Sequence, residues 1–198
     1  MEKIITLPLG AYQTNCYLVW EEGSNACIVI DPGYEAPVIN AQLKKLGLTP
    51  AAILLTHGHF DHVGAVRELV MDHGCAVYLH PDDTTMPPQM TAGTLYYNHA
   101  LQDGQTLHLA GLSIGVYHTP GHTPGSVCLA IGQYLFTGDT LFAGSCGRTD
   151  LPGGNWQTLM GSLARLKGFT KNYHVLSGHG ACSTLAEEKL HRIQILMS

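Results

Sequence analysis

The chain has 198 residues, 45% of them hydrophobic and 13% charged, with a formal net charge of −5 at pH 7, which is typical of one globular domain over residues 1–198. The acidic balance argues against a nucleic-acid partner, and no stretch approaches the roughly 20 apolar residues that span a bilayer, so neither nucleic acid nor membrane is expected as a partner. The N-terminal segment is too interrupted for a signal peptide and the six cysteines lack CxxC spacing, which together predict a cytoplasmic protein with reduced thiols.

Strands and helices are predicted to alternate through the first half of the chain. The hydrophobic patterning predicts strands at 15–20, 26–30, 51–55 and 76–79, with helices at 37–46 and 63–73. The first two strands form a predicted hairpin. Residues 84–98 include the adjacent prolines Pro87 and Pro88 and predict an irregular, mobile flap.

The second half predicts strands at 106–109, 112–118, 126–131, 134–137 and 174–176, with helices at 156–166 and 185–196. It contains a weak echo of the first half. In each half an apolar strand ends at an aspartate (Asp31 or Asp139), and a helix and a second strand then lead to a histidine (His57 or His179). The echo predicts two similar halves whose strand ends meet at one site, in an α/β fold that is a four-layer αββα sandwich.

A dense group of metal-binding side chains follows the apolar run at 51–55. His57, His59, Asp61 and His62 lie within six residues, and a strand that ends in a turn can aim them at one point. Three imidazoles and a carboxylate in contact would gain little and lose hydration without a cation. The stretch therefore predicts a metal site that suits zinc, iron or manganese.

Three further stretches each carry one candidate ligand: His122 between Gly121 and Thr123, Asp139 after the strand at 134–137, and His179 between two glycines. Each could instead be an ordinary turn residue, but flanking glycine and proline fix these backbones and permit close approach. Asp31 is either a turn former before Pro32 or a hydrogen-bond acceptor that orients a ligand histidine.

The joint set THGHFDH, GHT, GDT and SGHG resembles the metallo-β-lactamase superfamily, and within it the glyoxalase II-like hydrolases. The resemblance implies an αββα sandwich with two metal ions, zinc being expected. It implies that the first metal is bound by His57, His59 and His122, and the second by Asp61, His62 and His179, with Asp139 bridging both.

Two cations sharing one water predict hydrolysis by a metal-bridging hydroxide, which Asp61 and Asp139 would orient. The motifs offer no separate general acid, which favours a good leaving group such as a thiolate. The resemblance points the same way, to thioesters like S-lactoylglutathione. Arg148, nine residues after Asp139, is predicted either to clamp a substrate carboxylate or to pair with Asp150. Cys146 lies in the same glycine-rich loop.

Several points remain open from the residues. Glyoxalase II proper carries an extra C-terminal helical region for glutathione, and none is expected in the 18 residues that follow His179 and Gly180. A persulfide dioxygenase with one iron is an alternative, although its first motif usually has Ala where this chain has Phe60. A β-lactamase of the zinc-thiolate type would have Cys in place of Asp139, and a non-catalytic metal-binding module would usually have lost ligands. The apolar tail at 191–198 packs on the core or on a second subunit, so a monomer or a homodimer is expected.

Overall fold

A computed structural model of the protein describes residues 1–191, which form two six-stranded sheets, a two-stranded ribbon and five α-helices. In spatial order the first sheet contains β1 (Glu2–Leu9), β2 (Thr14–Glu21), β3 (Ala26–Ile30), β4 (Thr49–Leu54), β5 (Ala76–Leu79) and β6 (His99–Ala100). The second contains β14 (Ser183–Thr184), β13 (His174–Ser177), β10 (Tyr134–Gly138), β9 (Val127–Ile131), β8 (Leu112–His118) and β7 (Thr106–Leu109). The helices are α1 (Ala36–Leu46), α2 (Phe60–Val63), α3 (Val66–His73), α4 (Trp156–Lys167) and α5 (Leu185–His191), and the ribbon pairs β11 (Leu141–Phe142) with β12 (Ser145–Cys146).

The sheets are buried on both faces, and the side-chain alternation of each strand explains how. In β3, Cys27 and Val29 pack with helices α1 and α3, whereas Ile28 and Ile30 pack with Phe136 of the second sheet. A strand that is apolar at every position is what a sheet covered on both sides requires.

The outer face of the second sheet is covered by α4. Leu159, Leu163 and Leu166 recur at helical spacing and pack against Leu135 and Val175. Full burial of a leucine side chain stabilises the fold by about 1.5–3 kcal/mol. The order of layers is therefore helices, sheet, sheet, helices, and the predicted αββα sandwich is confirmed.

The two halves of the sequence place the carboxyl ends of their equivalent strands at the same edge of the sandwich. Strands β3 and β4 are parallel, and so are β10 and β13. Asp31, His57, Asp139 and His179 each follow the carboxyl end of one of these strands, within two or three residues. The pairing that the sequence echo predicted is thus present, and it sets the position of the candidate site.

The predicted helix at 63–73 is wrong in its first residues, because the segment forms two helices. The chain turns at Gly64, where a Cβ atom would lie 2.2 Å from the carbonyl oxygen of Gly33. The Ala65 N–H then donates to the carbonyl of Pro32 at 3.0 Å. This close approach breaks the helix and leaves α2 as one turn that begins at Phe60.

Strand β1 was missed because Pro8 interrupts its sequence pattern. The strand lies at the edge of its sheet, where proline is tolerated since one side needs no donor. The two-residue strands β6, β11, β12 and β14 were also missed. The closing helix begins at Leu185 as predicted, but its predicted end and the apolar tail after residue 191 lie outside the described residues.

Between residues 84 and 98 the backbone is irregular, as predicted, except that the first two residues close the 3₁₀ turn Pro81–Thr85. Its mobility stays a prediction. Within residues 1–191, no helix combines the length and the apolar character that a membrane crossing requires.

Candidate metal centre

All seven predicted ligands converge at the edge where the strand ends meet. His57 and His59 follow β4, Asp61 and His62 lie on α2, His122 lies in the turn between β8 and β9, and Asp139 and His179 follow β10 and β13. His62 is fully buried, and His57, His59 and His122 are almost so. Residues from four separate stretches of sequence therefore share one small volume.

The ligand atoms fall into two groups of three. His57, His59 and His122 form one group, and Asp61, His62 and His179 form the other, with the atoms of each group within 4.8 Å of one another. In the first group His122 Nε2 lies 2.9 Å from His59 Nδ1. In the second, His179 Nε2 lies 3.3 Å from both His62 Nε2 and Asp61 Oδ2. These are the two groups that the resemblance implied.

Asp139 lies between the groups. Its Oδ1 is 3.4 Å from His62 Nε2, and its Oδ2 is 3.5 Å from His122 Nε2 and 3.6 Å from His179 Nε2. Gly178 makes this approach possible, because a Cβ atom there would lie 2.3 Å from Asp139 Oδ1. Asp139 is thus placed where a carboxylate could bridge two cations.

The outer ring nitrogens show which way the lone pairs point. His122 Nδ1 lies 2.7 Å from the carbonyl of Arg148, and His179 Nδ1 lies 3.1 Å from that of Tyr12. A carbonyl only accepts, so Nδ1 carries the proton in both rings. The Nε2 lone pairs of neutral His122 and His179 therefore point into the centre, as metal ligation requires.

Asp31 applies the same constraint to His62 directly and to His57 through Thr56. Its carboxylate accepts from the Thr56 N–H at 2.8 Å and the Thr56 hydroxyl at 2.6 Å, and lies 3.0 Å from His62 Nδ1. Because the Thr56 hydroxyl donates to Asp31, its oxygen is left to accept from His57 Nδ1, 3.1 Å away. Asp31 itself has φ 51°, a left-handed conformation that is uncommon outside glycine but that aspartate tolerates better than most residues. Asp31 thus orients two histidines and is satisfied by protein donors.

The centre fits a metal, because two buried acceptors there have no protein partner. His57 Nε2 and Asp139 Oδ1 are buried without a hydrogen bond, whereas buried polar atoms are almost always paired. His59 turns its other nitrogen, Nδ1, towards His122. Imidazole nitrogens and carboxylate oxygens at this spacing suit zinc, and also iron or manganese.

Burial and charge divide the histidines by pKa. Burial, reinforced by neighbouring imidazoles, lowers the pKa of His57 well below its usual value and that of His59 to about 4. Burial would do the same to His62, but the Asp139 and Asp31 carboxylates outweigh it and raise the pKa. Burial opposes the charged form of His179 as well, and its hydrogen bond with Asp61 raises the pKa.

Both aspartates of the centre favour the ionised form. Burial alone would raise their pKa values, but His62 lowers that of Asp139 and the hydrogen bond from His179 lowers that of Asp61. The carboxylates of the centre and the imidazoles of His62 and His179, whose pKa values are raised, therefore stabilise each other's charged forms in the absence of metal.

A cleft of about 650 Å³ opens above the ligands. Its wall is mostly apolar and is formed by Tyr12, Phe60, Met90, Phe142, Cys146 and Leu151, with Arg148 beside them. Burial raises the pKa of the Cys146 thiol, so at neutral pH this cysteine is a neutral wall residue.

Of the two roles foreseen for Arg148, the structure contains the ion pair. The guanidinium binds Asp150 through two contacts of 2.7 Å, and both side chains are exposed. Because Arg148 also borders the cleft, a role in substrate binding stays a prediction.

Strand β2 supplies supports that the sequence analysis missed. Thr14 Oγ1 donates to Asp61 Oδ2 at 3.2 Å, and Asn15 Nδ2 and the Tyr17 hydroxyl donate to the Ser177 carbonyl at 3.0 and 2.6 Å. They hold Asp61 and the loop that carries His179. Buried polar residues within an apolar strand were the available signal.

Comparisons with known proteins agree with this geometry. A family model described as the metallo-beta-lactamase superfamily matches residues 9–179, and the chain belongs to that superfamily, as the motifs predicted. It is 35% identical to the hydroxyacylglutathione hydrolase GloC of Haemophilus influenzae, over 94% of this chain and 95% of that protein.

Two solved structures are similar along almost the whole chain. One is BLEG-1, a B3 metallo-beta-lactamase, with 34% identity and a TM-score of 0.91 over 99% of this chain and 100% of that chain. The other is TTHA1623 in a di-iron-bound form, with 39% identity and a TM-score of 0.83 over 93% of this chain and 96% of that chain.

Proposed function

We propose that the protein is a binuclear metallohydrolase that cleaves thioesters and holds two divalent cations, for which zinc is the expected metal. The observation that carries the proposal is the convergence of seven predicted ligands, with unpartnered acceptor atoms on His57 and Asp139, at the base of an apolar cleft. The similarity to a hydroxyacylglutathione hydrolase supports the thioester class.

Each of the two ligand groups would hold one cation. His57, His59 and His122 would hold one cation, and Asp61, His62 and His179 the other, with Asp139 contacting both. When bound, such cations lower the pKa of water to about 7 and polarise a carbonyl.

The two aspartates orient the attacking water. Both are ionised at neutral pH, because neighbouring histidines lower their pKa values, so each carboxylate can accept a hydrogen bond from that water. Thr14 fixes the rotation of Asp61, and Gly178 leaves room for Asp139. The water is thereby positioned by groups that need not move during the reaction.

The cleft favours a substrate with apolar parts beside the reacting carbonyl. Tyr12 packs edge-on against Phe60 at 5.5 Å between ring centroids, and the Phe142 ring lies 6.2 Å from that of His179. A thiolate can leave without a proton donor, whereas the nitrogen of an amide must be protonated as it leaves. A thioester therefore makes the smaller demand on a cleft whose wall is mostly apolar.

Hydrolysis of β-lactams is the second candidate, and the similarity to BLEG-1 favours it. The two activities make different demands. An amide nitrogen must be protonated as it leaves, whereas a thiolate need not be. A direct comparison of substrates therefore separates them.

The test is a substrate panel with the zinc-loaded protein. The panel contains S-lactoylglutathione, an S-acyl-N-acetylcysteamine, the matching oxygen ester and a chromogenic cephalosporin. We expect kcat/KM for at least one thioester to exceed those for the oxygen ester and the cephalosporin by 100-fold or more. Faster turnover of the cephalosporin than of either thioester would overturn the proposal.

A further inference from the structure

The buried carboxylate of Asp83 forms hydrogen bonds with two of the loops that carry predicted metal ligands. Asp83 lies in the 3₁₀ turn Pro81–Thr85, and its side chain is completely buried. One carboxylate oxygen, Oδ2, accepts from the Gly58 N–H at 2.6 Å, and the other, Oδ1, accepts from the Gly125 N–H at 2.6 Å. Both oxygens are therefore used, each by a different loop.

Those two loops carry the whole of the first ligand group. Gly58 lies between His57 and His59, and Gly125 lies in the turn that presents His122. His59 and His122 are 63 residues apart in sequence, yet their ring nitrogens approach to 2.9 Å. A carboxylate that binds both backbones sets the separation of the three histidines.

The bonding pattern requires a carboxylate rather than a neutral side chain. Two N–H groups converge on the two oxygens, and an amide at this position would point its own N–H₂ group at one of them. Burial raises the pKa of Asp83 to about 6, while the hydrogen bonds it accepts act in the opposite direction. At neutral pH the group is therefore ionised and can accept at both oxygens.

We propose that Asp83 is a positioning residue for the first cation: it holds the His57–His59 loop and the His122 turn at ligand separation before any metal arrives. This inference rests on the metal centre of the proposed function. It does not depend on thioesters being the substrate.

The variant Asp83→Asn tests the proposal, with zinc as the probe and a competing chelator as the readout. We expect one of the two zinc affinities to fall by about 10- to 100-fold, the range typical of residues that orient metal ligands. The other affinity should stay within about twofold, because the two hydrogen bonds of Asp83 go to Gly58 and Gly125 and not to Asp61, His62 or His179. A general loss of stability would instead weaken both.

The matched control is Asp82→Asn. Asp82 is the neighbouring residue. Its side chain is 55% exposed, and its carboxylate oxygen Oδ2 lies 3.8 Å from His80 Nδ1. It undergoes the same change in charge without touching a ligand loop, so both zinc affinities should stay within about twofold. Equal affinities in wild type and Asp83→Asn would overturn the proposal, and so would equal losses at both sites.

A measurement on the wild-type protein decides the matter if Asp83→Asn does not fold. In the metal-free protein the amide protons of Gly58 and Gly125 should already resist exchange with solvent, because Asp83 holds them. Rapid exchange that slows only when zinc is added would show that the metal, not Asp83, assembles the loops. Neither result depends on turnover, so absence of thioester hydrolysis would refute the proposed function and leave this inference standing.

Discussion

Replacing Asp139 by asparagine removes one negative charge from the middle of the centre and leaves its shape nearly unchanged. Asp139 lies 3.4–3.6 Å from the inward nitrogens of His62, His122 and His179. A pair of unit charges about 4 Å apart is worth about 4 kcal/mol at an effective dielectric constant of about 20. Since about 1.4 kcal/mol corresponds to a factor of ten, one such pair of unit charges is worth about three decades, and we expect the second zinc, a divalent ion, to bind at least about 100- to 1,000-fold more weakly.

Chelator competition measures that loss directly, and single-turnover kinetics on a thioester should show a fall of at least 100-fold. Asp82→Asn, with the same change of charge at an exposed position, is the control and should behave as wild type. Activity of Asp139→Asn within twofold of wild type would refute the bridging role, even if the zinc content had fallen.

Three further predictions concern Arg148 at the rim of the cleft, the protonation of His62 and His179, and the packing of Leu163 in the core. Arg148→Ala should raise KM for a carboxylate-bearing thioester more than it lowers kcat; an unchanged KM would leave the arginine with only its Asp150 contact. The raised pKa values of His62 and His179 favour their protonated forms without metal, so zinc must displace protons there and its affinity should rise with pH. Calorimetry in buffers of different ionisation enthalpy should detect that release at pH 7, and finding none would contradict the assignment. Leu163→Ala should lower the free energy of unfolding by about 2–5 kcal/mol in urea titrations without changing the zinc stoichiometry, whereas a loss of zinc would mean that α4 shapes the centre directly.

The ligands could be predicted from sequence because their constraint is local. A turn that follows a buried strand places His57, His59, Asp61 and His62 together whatever the rest of the chain does. The echo between the halves added His179, since its parallel strand pair repeats the first. The fold and the convergence of these side chains thus follow from periodicity and spacing, to which the family resemblance adds the division into two groups.

The residues that hold the ligand loops and helices in position could not be predicted, because their contacts are with residues distant in sequence. Asp82 and Asp83 are adjacent and chemically identical, yet one is exposed and the other bridges two loops. Likewise Gly64 breaks a helical pattern only because Gly33 passes against it. Pro8 interrupts the sequence pattern of the edge strand β1, whose pairing with β2 is seen only in the folded structure.

Whether two cations share this centre is decided by the number and identity of the metal ions bound per chain. Elemental analysis of the purified protein should give close to two divalent ions per chain, as zinc or as a mixture that sums to two. One iron per chain and no other metal, unchanged when zinc is added in excess, would contradict the account and favour the mononuclear persulfide dioxygenase instead.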